Sequence, residues 1–236
     1  MVNAAVAAGT DSRLRANAAQ PSRLRLTFSD KAMFYGVFSL LRENQAMDVV
    51  AAAQAYNRKA VRLEWHQFCD PTLAFTEEGY DEMLSLWREK AGGRNMPTRN
   101  DMTARDLKNF LRNILLFERT QKNPSRYLWR LSGTRVTEVV GHHTGQLVDE
   151  SVPPEHLERW SESFDMILAS EQPWRFFGRV RIKGREYLHA EHLHLPLAND
   201  NGEPAYIMGL CRYKPLCAET DDLWENELAS LPGGLL

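Results

Sequence analysis

The spacing of apolar residues changes character twice along the chain. From about position 29 to position 91 it is helical, whereas 1–26 show no apolar periodicity. Phe34, Val37, Phe38 and Leu41 follow a Ser29 cap at i, i+3, i+4 and i+7. A second run, 46–62, carries Met47, Val50, Ala51 and an alanine-rich face suited to close packing. Residues 65–71 then break helix, because Pro71 disfavours that conformation at Asp70. Thr76 is placed to cap a third run of Tyr80, Met83, Leu84, Trp87 and Ala91, which Gly92 and Gly93 end. Thr103 with Asp106 has the spacing of a capping box and opens a helix through Leu107, Phe110 and Leu111.

At 113–119 the pattern becomes that of a strand, and turn residues at 122–125 join it to a second strand, 127–131, as a hairpin. In the second strand Tyr127, Trp129 and Leu131 alternate with Leu128 and Arg130, which puts the three large residues on one face. Thr134 then opens a short helix bearing Val136, Val139 and Val140, stopped by Gly141. Pro153 and Pro154 introduce the clearest amphipathic helix, with Leu157, Trp160, Phe164, Ile167 and Leu168 on its apolar side. Three more strand patterns follow, at 174–182, 187–197 and 205–213, the last two joined through Asn201-Gly202. Phe176 and Phe177 point to opposite faces, so one of them is expected to meet solvent or a partner. Two strands, helices and three strands predict an α+β fold: a five-stranded antiparallel sheet with helices on one face, plus an N-terminal helical extension. The divisions are a mobile tail (1–28), the helical extension (29–75), the sheet domain (76–215) and an acidic tail (216–236).

Composition narrows the function. Of 236 residues, 43% are hydrophobic and 25% charged, which suits a globular protein, and a net charge of −2 gives no basic excess for nucleic acid. Cys69, Cys211 and Cys217 form no CxxC pair and no even disulfide set, which fits a reducing cytoplasm. No stretch reaches the ~18 apolar residues of a membrane span, so no membrane insertion is expected. Ala4 to Ala8 precede Arg13 and Arg15, the reverse of a secretory signal.

Residues 126–150, a strand leading into a short helix and a glycine-punctuated loop, resemble the start of a PAS (Per-Arnt-Sim) domain. Trp87, Met96-Pro97 and Arg99, the run Arg130 to Thr134, and Leu195 to Leu197 are similar to a PAS-like family common in alphaproteobacteria. The resemblance implies a small apolar cavity between sheet and helices, near Trp129, Leu131, Val140, Trp160, Phe164, Leu193 and Leu195, although a filled core would use the same residues. It further implies a non-enzymatic sensory or protein-interaction module that signals in trans. The helices before Met83 supply a surface for a homodimer.

The remaining chemistry lies with histidine. His192 and His194 share one face of a predicted strand that also carries His189 and Glu191. The expectation is a polar outer face opposite Glu191, Leu193, Leu195 and Leu197. A metal or haem held by this cluster, or by His142 and His143, is the first alternative, and no cofactor follows from the sequence itself. Glu191 acting with a neighbouring histidine as acid and base is the second. No GxSxG elbow, GxxxxGK[ST] or GxGxxG loop accompanies them, and none of the cysteines sits in the Asn-Cys-Arg-Phe type motif of the flavin light sensors.

Overall fold

A computed structural model describes residues 47–217, 226 and 228–232. The 1–28 tail, the helix read from Ser29 and most of the acidic tail lie outside the described residues. Six strands make one antiparallel sheet: β1 (Gln67–Asp70), β2 (Ile114–Lys122), β3 (Ser125–Ser132), β4 (Trp174–Arg179), β5 (Leu188–Ala198) and β6 (Pro204–Pro215). Their spatial order is β1-β4-β5-β6-β2-β3. The helices are α1 (Val49–Arg62), α2 (Tyr80–Ala91), α3 (Thr134–Val140), α4 (Val148–Ser151) and α5 (Pro154–Ser170).

Five of the strands are those predicted. The sixth, β1, comes from the segment read only as a helix break. It lies at the sheet edge, where unpaired backbone groups need a partner. Asn57 of α1, 3% exposed, supplies it: the side-chain amide donates to the Cys69 carbonyl and accepts from the Cys69 N–H, both at 2.8 Å. On the inner side of β1 the close approach requires Gly178 of β4, where a Cβ would meet the His66 carbonyl at 2.2 Å.

Helices cover both faces of the sheet, not one. α1, α3 and α5 pack around Phe117, Trp129, Phe164 and Phe176. α2 lies on the other face, where Met83, Leu84 and Trp87 join Ile114, Leu116, Leu193, Leu195 and Leu197, and the Trp87 indole donates to the Pro196 carbonyl at 2.9 Å. Leu228 and Leu231, from the segment read as an acidic tail, pack with the first group. On α1 the buried face is Ala53, Tyr56, Asn57 and Ala60, as the alanine pattern predicts, while Met47 and Val50 are exposed.

Two predicted caps serve other purposes. α2 begins at Gly79 with φ 87° and no side-chain cap. Thr76 instead donates its N–H and its hydroxyl to the Glu191 carboxylate, each at 3.1 Å. Thr103 and Asp106 do form their reciprocal bonds, with the hydroxyl donating at 2.6 Å, yet 104–110 is a run of turns that buries Leu107 and Phe110.

Three charges are sealed inside. Arg175, Asp70 and Glu191 are 2%, 3% and 2% exposed, and Arg175 donates from Nε to Glu191 at 2.6 Å and from Nη1 to Asp70 at 3.2 Å. The same guanidinium lies 4.5 Å over the Phe177 ring, and the Phe68 ring of β1 lies 6.4 Å from the Phe177 ring. Phe177, one of the pair from which a solvent-facing or partner-facing ring was expected, is therefore 1% exposed, and Phe176 is 0% exposed. Arg175→Met would strand two buried carboxylates, and it should cost roughly 3–5 kcal/mol in urea unfolding. Adding Asp70→Asn and Glu191→Gln to that variant should recover part of the loss.

Candidate functional site

Sheet parity decides what faces α5. Along β5 the residues alternate between faces: Leu193, Leu195 and Leu197 pack with α2, whereas His192 and His194 turn toward α5. There they line a cavity of about 80 Å³ with Phe117, Trp160, Phe164, Tyr213 and Arg159. The expected polar outer face is thus an inner one. Because α2 buries the opposite side just as well, the leucines do not mark the cavity.

The imidazoles are closely surrounded. Their ring centroids are 5.6 Å apart, with Phe176 at 5.2 Å from His194 and Tyr213 at 5.7 Å from His192. His194 is 5% exposed, and neither of its ring nitrogens has a hydrogen-bond partner; His192 Nε2 is also buried without one. Burial pushes His194 down to about 3. His192 is lowered by burial first, then by the nearby His194 and Arg159. Both rings are therefore neutral near pH 7, each with one N–H to donate and one nitrogen to accept. Burial also pushes the Cys211 thiol up to about 12, which leaves it protonated and inert.

A cleft of about 670 Å³ opens at the N-terminal end of α5, and Val140, Arg159, Trp160, Arg181 and Ile182 line both it and the inner cavity. Arg159 fixes this junction by donating from Nη1 to the Trp65 carbonyl at 3.0 Å. Burial lowers its pKa, but not enough to discharge a guanidinium.

Of the residues expected at a pocket, Trp129, Val140, Trp160 and Phe164 converge here. Trp129 stands 5.4 Å from Trp160, and Trp160 stands 5.6 Å from Phe164. Leu193 and Leu195 are on the α2 face. Leu131 joins them there because the pairing shifts between Leu116↔Leu131 and Phe117↔Trp129, a bulge at Arg130 that sends Trp129 and Leu131 to opposite faces. The sequence reading passed over Arg159, Ser163 and Tyr213. Arg159 and Ser163 lie one turn apart on α5, a polar break beside its apolar stripe that could have been noticed.

The alternative sites take definite positions. His142 is exposed, and the His143 ring sits 2.9 Å from the Val140 carbonyl and 3.2 Å from the Gln146 side chain, in contact with Trp129. Among the described residues no three His, Cys, Asp or Glu side chains are arranged to hold a metal. Glu191 points away from His192 and His194, and its oxygens are taken by Arg175 and Thr76.

The model of the PAS domain family matches residues 76–212. The chain belongs to the PAS family. The match starts at Thr76, so α1 and β1 lie outside it. Family membership suggests a sensory signalling module. Among solved structures, the chain is similar to a sensory box histidine kinase/response regulator from Burkholderia thailandensis E264, with 15% identity, a TM-score of 0.34, and coverage of 53% of this chain and 95% of that one. It is also similar to an RNA-binding light-oxygen-voltage receptor, with 13% identity, a TM-score of 0.36, and coverage of 85% of this chain and 66% of that one. No curated protein matches at a significant level. No helix among the described residues is long and apolar enough to cross a membrane.

The buried histidines make stability depend on pH. The fold keeps His194 neutral down to about pH 3, whereas an unfolded imidazole titrates near 6.5. Acid therefore adds protons to the unfolded chain first, and stability present above 6.5 is lost as pH falls. Between pH 6.5 and 5 the loss per imidazole should be roughly 2 kcal/mol. Urea midpoints for wild type and His194→Leu across that interval should show a shallower decline in the variant.

Proposed function

We propose that this PAS domain is a non-enzymatic sensory module of the cytoplasm that binds a small ligand in the cavity beneath α5 and signals in trans through protein contact. One observation carries the reading. His194 is 5% exposed, lines a cavity walled by aromatic rings, and has two ring nitrogens without partners. Buried polar groups are ordinarily hydrogen-bonded, so a ligand with a polar end and an apolar body fits the surroundings.

The output would leave through α5. Lys59 of α1 is paired with Glu158, at 2.8 Å, and with Glu162 of that helix, and Arg159 reaches the Trp65 carbonyl beyond α1. A ligand that shifts α5 on the sheet would shift what α1 presents. The outer side of α1 exposes Val50 at 41% and Val61 at 52%, with Leu63 beyond its end, and this apolar strip is the part of the proposed homodimer surface that falls within the described residues.

Native mass spectrometry of freshly purified protein should detect a bound small molecule that His194→Phe loses. A mass equal to the bare chain, together with no stabilisation by any small molecule in a thermal screen, would end the ligand proposal. Size-exclusion chromatography with light scattering should give a dimer for the full chain and a monomer for Val50→Glu/Val61→Glu; a monomeric wild type would remove the dimer.

A further inference from the structure

We infer that the ligand is a small organic anion, a carboxylate on an apolar body, with Arg159 holding the carboxylate at the entrance and Phe117, Trp160 and Phe164 enclosing the body. The inference rests on the reading of the cavity as a ligand site and goes further by assigning charge. Among the described residues lining the inner cavity there is no aspartate or glutamate, while Arg159 and Arg181 both line it. The outer cleft, which Arg159 and Arg181 also line, adds Lys183, Glu155 and Glu186, so acidic side chains enter only at the outer end.

Arg159 is the decisive residue. It forms no ion pair with any described carboxylate, and its one hydrogen bond, from Nη1 to the Trp65 carbonyl at 3.0 Å, fixes the plane of the guanidinium. Nε is buried without a partner, and Nη2 makes no hydrogen bond to a described residue. Nε and Nη2 form the edge that takes a carboxylate in two parallel bonds. This chain uses that edge elsewhere: Arg126 donates from Nε at 2.8 Å and from Nη2 at 3.1 Å to the two oxygens of Asp149. A half-buried guanidinium without a counter-charge is unfavourable, and an incoming carboxylate would supply one.

The inner end sets the rest of the ligand. The cavity of about 80 Å³ limits the body to a ring or a short chain. The neutral imidazoles of His192 and His194 offer one N–H each and no charge, which suits a second polar atom of the ligand but does not repel an apolar one.

The test pairs each acid with its uncharged amide. Benzoate and hexanoate, against benzamide and hexanamide, are titrated into the purified full chain at pH 7.5 and followed by calorimetry and thermal unfolding. The carboxylates should bind and raise the midpoint, with each amide on the order of tenfold weaker. Arg159→Gln should abolish that preference, and Arg159→Lys should keep part of it. Amides binding as tightly as acids, or acids binding Arg159→Gln unchanged, would overturn the anion assignment and leave the cavity as a site for neutral ligands. No binding by any of the four probes, with no co-purified molecule, would overturn both. If Arg159→Gln does not fold, the acid-against-amide comparison on wild type decides by itself.

Discussion

The guanidinium of Arg175 is the constraint on which the sheet depends. It ties three strands at once, its own β4, β1 through Asp70 and β5 through Glu191. Each carboxylate is committed further. Asp70 accepts from the N–H and hydroxyl of Thr72 and from the N–H of Ala74, which shapes the turn leaving β1, while Glu191 accepts from Thr76 at the approach to α2. Charges this deep are favourable only when every oxygen is occupied, and here they are. The extension outside the PAS match is thereby joined to the domain by ionic bonds out of reach of solvent.

This network also decides the interior of the opposite face. A strand alternates strictly, so once Glu191 faces Arg175, His192 must face α5, and His194 must follow it. Two imidazoles reach a hydrophobic cavity because their neighbour in sequence is locked on the other side. A one-residue slip would place Glu191 under α5 and expose Leu193 and Leu195 to the same cavity. Such a slip would sacrifice the triad and the leucine packing against α2 together, so the register is held from both faces.

How far the sequence revealed this fold depended on whether the signal was local. The hairpin turns and strand patterns located five strands, and the stripe of α5 put Trp160 and Phe164 on its apolar side, while their place near a cavity came from the PAS resemblance. β1 was hidden because four residues ending before a proline carry little periodicity, its ladder partner β4 is about a hundred residues downstream, and the bonds on its outer edge come from Asn57, ten residues upstream of it. The side-chain directions in β5 were hidden for another reason. When helices cover both faces, each face is apolar somewhere, and the rule that leucines mark the core cannot choose between them. Leu131 failed through the bulge at Arg130, which leaves no mark in the composition of β3. Thr76 was read as a cap because capping is what a threonine before a helix usually does; a buried carboxylate from β5 had the stronger claim.

These contacts also rank the routes by which α5 could act on α1. The Lys59 pairs with Glu158 and Glu162 lie near the surface, where such bridges are worth about 0–1 kcal/mol. They steer the helices more than they hold them. The packing of Ala53, Tyr56 and Ala60 into the same core as Phe164 and Ile167 is the stiffer link, since close-packed interiors pass displacement on rather than absorb it. Arg159 adds a directional bond to that packing, because the Trp65 carbonyl it holds lies in the short connection between α1 and β1. Any displacement of this guanidinium pulls on the same rigid plane. A change at the N-terminal end of α5 therefore arrives first at the joint between α1 and β1, the part of the described structure lying just before the PAS match.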